Sequence, residues 1–187
     1  MSLDEQSIRL ALDRFLRSVE TRAYRMALVA TGRREEALDI VQDSMMKLAQ
    51  KYSHKPEEEW PMLFMRILQN GIRDWYRRQK VKQRFMFFSV DRDNRDEEQD
   101  FGFDIADEEN NPARRLEYHG VLKTLVDAVQ NLPIRQQQVF LLRAWDGLDV
   151  ESTAQILGVS SGSIKTHYSR ALKSLHSQLG DDWYGAR

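Results

Sequence analysis

The sequence predicts an all-α protein of two small helical domains joined by a flexible acidic linker. Three observations carry this. Apolar residues recur at helical spacing along the long segments on both sides of the chain's middle. The charge is divided: residues 1–88 carry 17 Lys+Arg against 12 Asp+Glu, residues 89–112 carry 2 against 10, and residues 113–187 carry 9 against 7. Two mildly basic blocks therefore flank an acidic strip, a pattern that the overall charge of −1 conceals. Finally, Leu148–Leu175 reads as two short helices around a glycine turn.

The totals bound the answer. A chain of 187 residues, 41% hydrophobic and 30% charged, suits two small domains better than one large one. No apolar run approaches the length of a membrane span and Met1–Leu10 has no secretory signal pattern, so no membrane insertion and a cytoplasmic location are expected. Zero Cys excludes disulfides, thiolate metal sites and a cysteine nucleophile. His54, His119, His167 and His176 stand far apart without ligand spacing, so no metal and no other cofactor is expected. Neither a glycine-rich phosphate loop nor a Gly-x-Ser-x-Gly elbow occurs. The sequence argues against an enzyme.

In chain order, Ile8, Leu12, Phe15, Leu16, Val19, Ala23, Met26, Ala27 and Ala30 predict a long first helix broken by Thr31-Gly32. Arg9, Arg14, Arg17, Arg22 and Arg25 decorate it, chiefly as a solvated face. A second helix runs from about Arg34 to Tyr52, with Ala37, Val41, Ser44, Met45, Leu48 and Tyr52 inward. Asp39, Asp43, Lys47 and Gln50 lie on its other side. Ser53–Glu59 is a loop, and Trp60-Pro61 opens a third helix to about Gln79, where an early Pro loses no needed donor. Phe64, Ile67, Leu68, Ile72 and Trp75 form its buried stripe. Six cations follow in twelve residues, Arg73, Arg77, Arg78, Lys80, Lys82 and Arg84, beside Trp75, Tyr76 and Phe85. Cations that follow a backbone beside surfaces that receive unstacked bases suit single-stranded DNA. Trp75 completes the apolar stripe and is read as core; Tyr76 is open to either role.

Ser89–Asn111 is acidic without sustained period and reads as a flexible linker. Pro112 then starts the second domain, whose first helix turns Leu122, Leu125, Val126, Val129 and Leu132 inward. Asn131-Leu-Pro133, Val139–Arg143 and Asp146-Gly-Leu148 give a further helix with a sharp start and a glycine stop. Asp149 caps a short helix carrying Ala154, Ile156 and Leu157, which Gly158 ends. Ser160 caps the next, whose Ile164, Tyr168, Ala171, Leu172 and Leu175 recur at helical spacing. A small Ala, a glycine turn and a polar-faced second helix make the helix-turn-helix pattern. Ser163, Lys165, Thr166, Ser169 and Arg170 would project outward on a cylinder that fits the major groove. The same pattern also fits an ordinary helical hairpin with a solvated face.

This whole tail resembles the promoter-recognising C-terminal domain of bacterial sigma factors. Ala37-Leu-Asp-Ile-Val-Gln-Asp43 is similar to the helix by which extracytoplasmic-function (ECF, group IV) members of the sigma-70 family grip the coiled coil of the RNA polymerase largest subunit. Trp60–Lys80 resembles the segment that melts and reads the −10 promoter element. The resemblance covers both domains and the linker, in the family's order. It implies a sigma factor with a region 2-like domain at 1–88, a linker at 89–112 and a region 4-like domain at 113–187. It implies core RNA polymerase as partner, through the largest-subunit coiled coil and the beta flap, and promoter DNA, both duplex and single-stranded. An anti-sigma factor is implied as regulator.

Carried over by position, Asp39, Gln42 and Asp43 would meet polymerase, where charged pairs set orientation and association rate more than affinity. Asn70 falls near the flipped −10 base, Arg73, Arg77 and Arg78 continue that helix, and Lys80, Lys82 and Arg84 fall in the base-capturing loop. Lys165, Thr166 and Ser169 would face −35 bases, with Ser161, Ser163, His167 and Arg170 beside the bases or near phosphates. The linker would thread toward the polymerase cleft, anchored by Phe101, Phe103 and Ile105, although solvation alone also explains an acidic strip. Thr153 stands where an aliphatic is usual and Tyr168 where Leu or Ile is commoner, both at packing positions. Phe85-Met-Phe-Phe88 departs from the usual loop and would pack on the first domain or meet polymerase.

A reading from another class stays open: a stand-alone helix-turn-helix regulator that binds duplex DNA without polymerase. It gives no reason for the basic-aromatic segment after Asn70. A nucleic-acid enzyme that uses the acidic residues as metal ligands fails because those acids sit in a strip without an ordered scaffold.

Overall fold

The structure, a computed structural model, describes residues 3–86 and 112–180, with side chains over 6–82 and 120–180. The described residues form helices and turns with no strand among them. The chain divides into two compact units, Met1–Gln99 and Asp100–Arg187.

The first unit packs three long helices, α1 (Leu3–Thr31), α2 (Arg34–Tyr52) and α3 (Trp60–Met86). The break at Thr31-Gly32 lies where the sequence places it. Thr31 Oγ1 donates back to the Ala27 carbonyl at 2.8 Å, and Gly32 takes a φ of 68° that disfavours a side chain. A 3₁₀ turn at Glu57–Glu59 leads into α3, and Trp60 Nε1 donates to the Tyr52 carbonyl at 3.2 Å. Along α1 and α3 the pairs Phe15–Trp60, Met26–Gln69 and Ala30–Tyr76 advance together, so these two helices run parallel. Met26, Leu48, Trp60, Phe64, Leu68 and Ile72 fill the core between the three helices. Gly71 lets α3 close on α2, since a Cβ there would stand 3.2 Å from Ile40 Cγ2.

One boundary differs from expectation. The sequence reading ends the third helix near Gln79 and puts Lys80–Phe85 in a loop, but α3 continues to Met86. Lys80-Val-Lys-Gln-Arg-Phe-Met has neither Gly nor Pro, and most of these residues are strong helix formers, so nothing local ends the helix. The side chains of Arg84 and Phe85–Phe88, and the strip with Phe101, Phe103 and Ile105, lie outside the described residues.

The second unit holds α4 (Pro112–Gln130), α5 (Ile134–Phe140), α6 (Val150–Leu157) and α7 (Ser161–Leu179). Val126, Val129 and Leu132 are buried as expected, while Leu122 and Leu125 are half-buried. Leu141 and Leu142 join them with Val139, Ile164, Ala171 and Leu175. The segment Val139–Arg143 is not one regular helix. At Leu141–Trp145 the ladder widens to a π turn, in which the Asp146 amide reaches back five residues to the Leu141 carbonyl at 2.9 Å. Gly147, at a φ of 70°, supplies the expected stop.

Candidate nucleic-acid interface

In the second unit, local chemistry fixes two helices and the turn between them. Asp149 accepts the Ser152 amide at 2.7 Å, and this bond first, then the Ser152 side chain, holds its carboxyl below the usual carboxylate range. The Arg143 charge lowers it further. Thr153, fully buried, resolves the departure at that position: its hydroxyl donates to the Asp149 carbonyl at 2.7 Å, so no polar group is stranded. Gly158 ends α6 in the left-handed region at φ 64°, where a Cβ would add strain. The Ser160 hydroxyl accepts the Ser163 amide at 3.2 Å and starts α7.

Ile164, Ala171 and Leu175 bury one face of α7. Lys165, Thr166, Ser169 and Arg170 are exposed on the rest of it. The other three expected contacts are less exposed. Ser161 is half-buried, and Ser163 is half-buried with its hydroxyl 2.9 Å from that of Ser160. His167 is half-buried too, and its Nδ1 is enclosed without a hydrogen-bond partner. It follows Ile164 by three residues and so flanks the buried stripe. Thr166 uses its hydroxyl proton on the Gly162 carbonyl at 3.0 Å and keeps acceptor capacity.

The sequence reading missed Arg143. Its guanidinium lies 5.5 Å over the ring of Tyr168 and donates to the Leu148 carbonyl. A cation and a ring separated by 25 positions leave no local pattern; the only signal was Tyr168 standing where an aliphatic is commoner.

In the first unit, Asp39, Gln42 and Asp43 are exposed on α2, away from buried Ala37, Ile40, Val41, Ser44 and Leu48. Leu38 and Met46 flank Gln42 at four-residue spacing and are also exposed, 44% and 55%. The polar group therefore has an apolar rim that the reading did not name. Apolar residues off the core stripe were the available signal.

On α3, Asn70, Arg77, Arg78, Lys80 and Lys82 are exposed. Arg73 is only half-exposed, with Nε enclosed and 3.8 Å from an Asp74 oxygen. Arg77 stands 4.0 Å from the same carboxylate in open solvent, a pair worth little. Trp75 is buried, as the stripe predicts, at 5.0 Å edge-on to Tyr76. Tyr76 donates its hydroxyl to the Ala30 carbonyl at 2.9 Å. Both rings belong to the packing of this unit, and the exposed character of the segment is cationic. No group of three or more His, Asp or Glu that could hold a metal occurs among the described residues. No described helix is long and apolar enough to cross a membrane.

Comparison with known proteins places this arrangement. The family described as Sigma-70, region 4 matches residues 122–175. The RNA polymerase sigma factor SigV of Bacillus subtilis is 31% identical over 157 residues, 83% of each chain. The ECF RNA polymerase sigma factor BldN of Streptomyces coelicolor is 43% identical over 58 residues, 31% of this chain and 22% of that one. Among solved structures, the sigma factor RpoE of Bartonella quintana, in complex with the anti-sigma factor NepR, shares the fold with a TM-score of 0.57 and 24% identity. That match covers 95% of this chain and 97% of the other.

Proposed function

The chain belongs to the extracytoplasmic-function sigma factors of the sigma-70 family, and from that premise we propose that it binds core RNA polymerase and directs it to a dedicated set of promoters. Residues 1–88 grip polymerase and open and read the −10 element, the strip 89–112 links, and residues 113–187 read the −35 element. The observation that carries the reading is α7: a helix capped at Ser160, anchored by Ile164, Ala171 and Leu175, and exposing Lys165, Thr166, Ser169 and Arg170. Such a cylinder fits the major groove, where Lys and hydroxyl side chains match base-edge acceptors. Ser161, Ser163, His167 and Arg170 lie near the phosphates or beside the bases.

On α2, Asp39, Gln42 and Asp43 meet the coiled coil of the largest subunit, with Leu38 and Met46 as the apolar part of the contact. The second unit docks on the beta flap. On α3, Asn70 faces the flipped −10 base, and Arg73, Arg77, Arg78, Lys80, Lys82 and Arg84 follow the phosphates of the opened strand, a sequence-independent term that weakens with salt. Polymerase supplies the catalysis. An anti-sigma factor that covers these surfaces regulates the chain.

Gel filtration of the purified chain with core RNA polymerase, followed by transcription from a mixed promoter library, tests the proposal. Co-elution with selective initiation is expected. Tight duplex binding by the chain alone, without co-elution, would overturn it in favour of a stand-alone regulator.

A further inference from the structure

Arg143 touches three elements at once. It leaves the π turn after α5, donates to the Leu148 carbonyl just before α6, and lies over the Tyr168 ring of α7. Its Nε is enclosed and makes no hydrogen bond, so the carbonyl at one edge and the ring beneath set the plane of the guanidinium. Tyr168 shares one face of α7 with Lys165, Ser169 and Leu172, at spacings of three and four residues, and these line a groove with Arg143.

We propose that Arg143 and Tyr168 form a positioning pair that fixes the rotation of α7 and thereby the −35 specificity of Lys165 and Ser169. The inference rests on the reading of α7 as the −35 reader. The buried anchors of α7, Ile164, Ala171 and Leu175, lie close to one line along the helix. Apolar contacts along a line resist lifting the helix but resist rolling it only weakly, because they have no preferred direction. A planar cation tethered to a carbonyl and lying over a ring does have one. The lever is long. A lysine ammonium stands roughly 8–10 Å from the helix axis, so a roll of about 10° moves it about 1.5 Å, which breaks a hydrogen bond to a base edge. An aliphatic residue at position 168 would fill space without setting the angle.

The test uses the full chain with core RNA polymerase on two promoters that differ at one −35 base pair. Affinity for an unrelated duplex and the unfolding midpoint are measured alongside. Tyr168→Leu is expected to lower the ratio of initiation between the two promoters about fivefold, the order of one exposed cation–π contact. Its affinity for the unrelated duplex should stay that of the starting protein, and its midpoint should fall by no more than the loss of that one contact. Tyr168→Phe, which keeps the ring, should keep the ratio. Arg143→Met should match Tyr168→Leu, and the double variant should be no worse than either, because the two remove one interaction.

An unchanged ratio in Tyr168→Leu, or losses that multiply in the double variant, overturns the pair. So does a parallel fall in midpoint and unrelated-duplex affinity, the mark of lost packing. If the starting protein itself is indifferent to the −35 pair, the −35 reading fails and the positioning role falls with it, an outcome visible before any variant is made.

Discussion

α7 is defined at both entry and exit by groups next to it in sequence. Ser160 caps it, Gly158 turns the chain before it, and Gly180, at a φ of 73°, follows it. α3 has no such punctuation at its far end, and it is held by what it buries: Trp60, Phe64, Leu68, Ile72 and Trp75 over four turns. Both helices bury an apolar flank, but only α7 is punctuated at both ends. The difference predicts where each unit is vulnerable: large side chains in the first, single backbone positions in the second.

The largest effect should come from Trp60→Ala. Removing a fully buried indole should destabilise the first unit by about 3–5 kcal/mol, in the range of large-to-small core changes. Chemical denaturation followed by probes in each unit should show the first transition moving and the second staying. If both move together, the units are coupled and the contrast is wrong. Next, Lys165→Ala should lower discrimination at one −35 position by about tenfold, with co-elution with core polymerase intact. Equal loss of polymerase binding would count against the assigned role.

Gly158→Ala forces an L side chain into the left-handed region and should lower the second unit's stability by about 1–2 kcal/mol. No Cβ contact opposes it, so the loss should be purely conformational and should appear in the unfolding midpoint of that unit. The smallest effect should be pH-dependent. The carboxyl of Asp149 is lowered in the folded state, so its contribution is complete above its ordinary value of 3.8 and is lost as the pH falls through the lower, folded value. Asp149→Asn should flatten that acid limb of the second unit's stability curve, while the first unit's curve stays as it was.

The contrast also explains what could be read in advance. Asp149, Gly158 and Ser160 were legible because a cap or a left-handed turn needs only a few neighbouring residues. Trp75 was legible as core because it completed a stripe. The end of α3 was not, since no residue between Gln79 and Met86 forbids helix and the expected loop came from resemblance. Helical position turns Ser163 outward, and resemblance alone puts His167 near DNA. Their actual settings depend on the Ser160 hydroxyl and on enclosure around Nδ1, which a helical wheel does not contain. Leu38 and Met46 were passed over because a polar motif occupied the same face. Arg143 against Tyr168 is a tertiary fact, and the chain gives it no periodicity.

The π turn at Leu141–Trp145 has a consequence for sequence change. A widened ladder accommodates one residue more than an α-helix of the same rise, so this turn is the natural scar of a single-residue insertion. Shortening the chain by one residue here would restore α-helical bonding and leave the side chains on either side in the same register around the axis. Leu141 and Leu142, at its start, would keep their burial, and the chain's path into Gly147 and Asp149 would be kept. Gain or loss of this residue would therefore leave α7 aimed as before, a change that an alignment scores as one gap and the turn absorbs.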